Sequence, residues 1–91
     1  MPSPVFVYTT HALDTFALRE LEQTWIERTV LKPEATEPDP DHPKRTRAYR
    51  VVPERGGRIL RVVYVRDGDT VRIVTAFLDR GRRRVSRAGQ V

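Results

Sequence analysis

Two runs rich in β-branched residues, Arg58 to Val65 and Thr70 to Leu78, flank the tetrapeptide Arg66-Asp67-Gly68-Asp69. An Asp-Gly dipeptide between such runs is the strongest short-range hairpin signal, because tight hairpin turns need the positive φ that glycine adopts without strain. The C-terminal half must therefore build antiparallel sheet. Arg47 to Val52 adds a third strand-like run, closed by Pro53 and the turn residues Glu54-Arg55-Gly56-Gly57. Three consecutive antiparallel strands are predicted.

The preceding residues have a different period. Val5 to Thr9 is a short β-prone run, and Thr10 is placed to cap a short helix over His11 to Ala17. From Glu20 to Leu31 the apolar residues Leu21, Trp25, Ile26 and Val30 recur at helical spacing, so a second helix is predicted, ended by Lys32 and Pro33. Pro33 to Lys44 (PEATEPDPDHPK) holds four prolines and four acids with no periodicity and reads as an exposed connector. The fold class expected is α+β, with two N-terminal helices packed on an antiparallel sheet of three to four strands. Phe16, Leu21, Trp25 and Ile26 are expected to pack against strand residues around Val62, Val63 and Ile73. At 91 residues the chain suffices for one core. A single domain over 1–84 and a flexible basic tail over 85–91 are expected.

Charge divides at the connector. Residues 1–43 carry three cations (Arg19, Arg28, Lys32) against eight anions, whereas residues 44–91 carry fourteen cations against four anions (Glu54, Asp67, Asp69, Asp79). The second half is the part suited to a polyanion, and thirteen of its cations are arginines, whose planar fork matches phosphate. The chain has no cysteine, which excludes disulfides, thiolate nucleophiles and cysteine-ligated zinc or iron-sulfur sites. Two histidines without a third ligand at metal spacing give no metal signal, and no cofactor fingerprint is present. No apolar run approaches the roughly 20 residues that cross a bilayer, and no signal peptide is read at the N-terminus, so a soluble cytoplasmic protein without membrane contact is expected.

His11 is the histidine placed in a predicted element, where it either exchanges protons near neutrality or simply caps and packs. His42 and the acidic pair Asp39 and Asp41 fall in the connector and read as solvated. The mid-strand polar residues Arg61 and Thr75 must face water or find partners. If the turn closes Arg66 onto Asp69, Arg61 and Thr75 point to opposite faces; with a three-residue loop or a bulge they share one. The sequence leaves both registers open.

The segments YTTHAL, a basic residue at Arg19, WIERTVLKPE, EPDPDHP, TRAYRVVPERGGRILRVVY and RIVTAFLDRGRRR occur in that order. Together they resemble a bacterial domain-of-unknown-function family, number four-two-five-eight, placed near the RelE, HigB and BrnT toxins. The resemblance spans Val5 to Arg84. It implies a RelE-like fold and a toxin-antitoxin mRNA interferase that cleaves RNA without metal. Such chemistry needs a proton carrier and cations around the phosphorane. By resemblance His11 is the general acid or base, Arg61 and Arg19 are phosphate clamps, and Thr75 or Tyr64 orients the phosphate. Arg19, Arg47, Arg58, Arg72, Arg80, Arg82, Arg83 and Arg84 are the arginines expected on RNA. The implied partners are RNA, including ribosome-bound mRNA, and an acidic antitoxin. The alternative is a non-catalytic module that binds nucleic acid or a partner protein on the same scaffold.

Overall fold

Thr9, rather than Thr10, starts the first helix. In the computed structural model, which describes residues 4–79, the Thr9 hydroxyl accepts the Ala12 amide at 3.0 Å. This caps α1 (Thr10–Leu18), which follows the short strand β1 (Val5–Tyr8). Both threonines have cap chemistry; Thr9 holds the extended backbone that a cap requires. The helix buries Ala12 and Phe16, one turn apart. It ends in a Schellman motif: the Leu21 amide donates to the Phe16 carbonyl at 2.9 Å and the Glu20 amide to Ala17 at 3.2 Å. Glu20 takes the left-handed position that usually selects glycine, with φ 56°.

The second helix, α2 (Gln23–Leu31), buries Trp25, Ile26, Thr29 and Val30 on one face. Buried Thr29 is satisfied locally, its hydroxyl donating to the Trp25 carbonyl at 2.8 Å. Tyr8 at the end of β1 donates its hydroxyl to Glu27, pinning β1 to α2. Burial, then this hydrogen bond and the adjacent carboxylate charge, raises the Tyr8 phenol well above its ordinary range.

Among the described residues four further strands follow: β2 (Ala35–Pro38), β3 (Arg45–Val52), β4 (Arg58–Asp67) and β5 (Thr70–Leu78), with a 3-10 turn at Pro53–Arg55. They form one sheet in the order β1-β5-β4-β3-β2, antiparallel throughout except that β1 runs parallel to β5. The expected antiparallel, RelE-like sheet of three to four strands is thus corrected to a five-stranded mixed sheet. Two features account for the difference. The chain leaves β1 into the helices and returns only at the end to lay β5 beside it, so this pairing joins the two ends of the fold. Meanwhile part of the proline-rich connector is extended and pairs with β3; Pro38 fits because β2 is an edge strand, where a missing amide costs little.

Both helices cover one sheet face. Ala12, Phe16, Leu21, Trp25, Ile26 and Val30 pack there with Ala48, Val52, Leu60, Val62, Tyr64, Val71, Ile73 and Ala76. Val63, expected in this core, belongs to the opposite face, where it is also buried. Among the described residues no helix is long and apolar enough to cross a membrane.

Candidate nucleic-acid interface

The β4-β5 hairpin fixes which side chains share the second face. Its loop is Gly68-Asp69, with Asp67 paired to Thr70 and Gly68 at φ 61°. Pairing continues to Tyr64 with Ile73, then shifts by one: Val63 pairs with Thr75 and Arg61 with Phe77, leaving Val74 as a bulge. Cross-strand partners point the same way and alternate residues share a face. The bulge therefore puts Thr75 and Phe77 on the face of Arg61. Without it Thr75 would oppose Val62 in the helix-side core.

Register rows read across this second face. One contains Val7, Arg72, Val65 and Arg45; the next Thr75, Val63, Arg47 and Glu37; the next Phe77, Arg61, Tyr49 and Ala35. The face thus carries four arginines from three adjacent strands, with two aromatic rings among them. The Arg61 guanidinium carbon lies 4.8 Å from the Phe77 ring centre and 5.6 Å from that of Tyr49. Its Nη2 and Nε donate to the Asp79 Oδ2 oxygen at 2.8 and 3.2 Å. Arg47 donates to Glu37 at 3.3 Å and lies 3.7 Å from Asp39, while the Tyr49 hydroxyl donates to Glu37 at 2.7 Å. Burial and the bond to Glu37 push the Tyr49 phenol above its ordinary value, against the lowering pull of Arg61.

Arg45, Arg72 and the neighbouring Lys44 differ in having no ion pair among the described residues. They line a cleft of about 430 Å³ with His42, Pro43 and Val65. Its loop wall is built by Asp39, whose carboxylate accepts the Asp41 amide at 2.9 Å and whose carbonyl accepts the His42 amide at 3.3 Å. The Arg45 amide then bonds the His42 carbonyl at 2.8 Å, and the Asp39 amide bonds the Arg45 carbonyl at 3.0 Å. Asp39 is buried rather than solvated. The Asp41 amide bond, reinforced by Arg47 and His42, outweighs burial and holds its carboxyl below the usual range.

The structure brings some of the expected site residues together and separates others. Arg61 and Thr75 share the second face, and Arg19 reaches Phe77 from the helix side, its guanidinium carbon 5.7 Å from the ring centre while Nη1 donates to the Ala76 carbonyl at 2.9 Å. Arg19 and Arg58 line a second cleft of about 520 Å³ with Leu21, Phe77 and Leu78. His11 is exposed in the first turn of α1, on the helix side of the sheet. Tyr64 is buried in the helix-side core. Arg80, Arg82, Arg83, Arg84, the tail 85–91 and the boundary at residue 84 lie outside the described residues. Sequence reasoning did not single out Lys44, Arg45, Tyr49 or Asp79. The available signal was the Asp-Pro pair at 39–40, which favours a side-chain-built turn, followed by cations leading into a strand.

A layer of two helices on one face of a five-stranded mixed sheet, with an arginine- and tyrosine-bearing second face, defines a small α+β module with a basic surface. Residues 8–78 match the family described as "Domain of unknown function (DUF4258)", and the chain belongs to that family. No curated protein and no solved structure matches the chain.

Proposed function

We propose that this protein is an RNA-binding module that lays the phosphate backbone of RNA across the second face of its sheet. The observation that carries the reading is the placement of Arg45, Arg47, Arg61 and Arg72 on one face with Tyr49 and Phe77. Guanidinium forks suit phosphate oxygens, and of the two rings Tyr49 is buried while Phe77 is partly exposed, so phosphate contact carries most of the affinity and Phe77 offers a stacking face to an unpaired base, which favours single-stranded RNA. Cleavage of the bound strand, as in a metal-independent endoribonuclease of a toxin-antitoxin pair, is the second reading. It is favoured by Thr75 standing on the Arg61 face, and it asks His11 to act from the other side of the sheet. An acidic antitoxin would compete with RNA for the same surface.

Fluorescence anisotropy with a labelled single-stranded RNA, repeated from low to high salt, tests binding. Each neutralised phosphate contributes about −0.7 to the slope of log K against log salt for single strands, so three or four contacts give a slope of about −2 to −3. The double variant Arg45→Gln/Arg72→Gln should flatten it by about 1.4. A wild-type slope near zero refutes the reading. Gel analysis of the same samples reads cleavage: fragments produced by wild type and lost in His11→Ala support the endoribonuclease, and intact RNA at saturation supports binding alone.

A further inference from the structure

We infer that the cleft between the 39–44 loop and the β3-β4-β5 corner binds a terminal phosphate, the phosphomonoester at one end of a nucleotide or RNA strand. The inference deepens the RNA-binding reading and rests on it only for the identity of the rest of the ligand. Charge comes first. Of the four arginines on the second face, Arg61 is held by Asp79 and Arg47 by Glu37 and Asp39. Arg45 and Arg72, joined by Lys44, carry no such partner among the described residues, and no carboxylate lines the cleft they form. Three cations around one concavity exceed what an internal phosphodiester, with a single negative charge, requires. A phosphomonoester carries about −1.5 to −2 at neutral pH and offers three acceptor oxygens.

Shape and rigidity point the same way. Arg72 and Arg45 stand in one register row on either side of Val65, two strand spacings or about 10 Å apart. Between them lies an apolar floor of Val65 with Pro43 at the wall, so an anion seated there loses water on one side and meets cations on the others. The wall is fixed in advance by the Asp39 turn and by Pro40 and Pro43, which lock their own φ. Little ordering remains for the ligand to bring about. Asp41, in the same loop, is exposed and does not line the cleft.

The test titrates the full-length, isotope-labelled protein at low salt with adenosine 5′-monophosphate, adenosine 3′-monophosphate and adenosine, following backbone amide shifts. Both monophosphates should move the amides of Lys44, Arg45 and Arg72, and the tighter of the two identifies which strand end the cleft takes. Adenosine should leave these amides in place. Arg72→Gln and Lys44→Gln should each weaken monophosphate binding tenfold or more without lowering the melting temperature. Equal shifts with adenosine, shifts mapping elsewhere, or unchanged affinity in the folded variants overturn the inference. A 5′-hydroxyl, 3′-hydroxyl RNA separates the two claims. If it binds with a steep salt slope while monophosphates leave the cleft unmoved, the terminal-phosphate site falls and RNA binding stands; if monophosphates bind and this RNA does not, the reverse holds.

Discussion

Replacing Trp25 by alanine probes the layer that holds the helices on the sheet. Trp25 is only 8% exposed, in α2, within the same cluster as Leu21, Ile26, Val52 and Leu60. The Thr29 hydroxyl bonds the Trp25 carbonyl, a backbone group that alanine keeps, so the substitution removes packing alone. Removing a buried tryptophan costs about 3–5 kcal/mol, and strands paired on both sides cannot collapse into the space. A chain of this length has a total stability of about 5–14 kcal/mol. The loss is thus about a fifth or more of what holds the fold, and at about 4–8 °C per kcal/mol it lowers the melting temperature by roughly 12–40 °C. Urea titration followed by far-ultraviolet circular dichroism should show the midpoint falling by about 1 M or more at unchanged slope. Leu18, 85% exposed at the end of α1, is the control: Leu18→Ala should change stability by no more than about 0.5 kcal/mol. If Trp25→Ala unfolds outright, Trp25→Phe still reports a graded loss. A loss below about 1 kcal/mol for Trp25→Ala would show that the helices are held elsewhere, and the packing argument would fail.

Glu20→Gly should stabilise the protein by about 0.5–1 kcal/mol, since glycine relieves the left-handed strain at φ 56° while the backbone bonds of the Schellman motif persist; a lower urea midpoint would contradict this. Tyr8 and Tyr49 have folded-state pKa values raised above the unfolded value near 10, so their contribution is present below that pH and is lost as pH rises through the folded value. Absorbance titration at alkaline pH should show late-ionising phenols that disappear in the folded variants Tyr8→Phe and Tyr49→Phe; ordinary titration of all phenols in the folded wild type would refute this. Asp39 has the opposite sign: its depressed pKa contributes stability above the unfolded value of about 3.9 that is lost as pH falls through the folded value. Asp39→Asn should therefore flatten the fall of the urea midpoint below about pH 4, and an unchanged fall would exclude the Asp39 carboxylate as the acid-sensitive group.

What the sequence disclosed follows the range over which each signal acts. The hairpin at Gly68-Asp69 and the helical spacing of Trp25, Ile26 and Val30 are local, and local propensity carries them. The partner of β1 is not local: Val5 to Tyr8 looks like a strand in isolation, but only the folded path shows that it lies parallel to Thr70–Ile73. Ala35–Pro38 was hidden for another reason, because proline density marks a connector wherever edge position is unknown. The register of the hairpin depended on one unpaired residue, Val74, with no distinguishing side chain among β-branched neighbours.

Why the most conspicuous charge is not the most available one also has a physical answer. Arg61 stands out in the sequence because it interrupts an apolar strand, and that environment is what obliges it to find a carboxylate and two aromatic rings. Arg47, a side chain in the next strand, is held likewise by Glu37 and Asp39. Both are committed within the fold, and on the proposed reading a phosphate would have to compete with those carboxylates for them. Lys44 and Arg45 sit where the 39–44 loop enters β3, Arg72 stands exposed in β5 two strands away, and all three keep their charge without ion-pair partners among the described residues. No window of sequence contains all three. Burial makes a charge visible by forcing it out of pattern and then neutralises it, whereas assembly at a corner leaves charges in pattern and unneutralised. An anion approaching this face therefore meets its least contested cations at the 39–44 loop, and in the proposed site the Asp39 turn would shape the loop without touching the ligand.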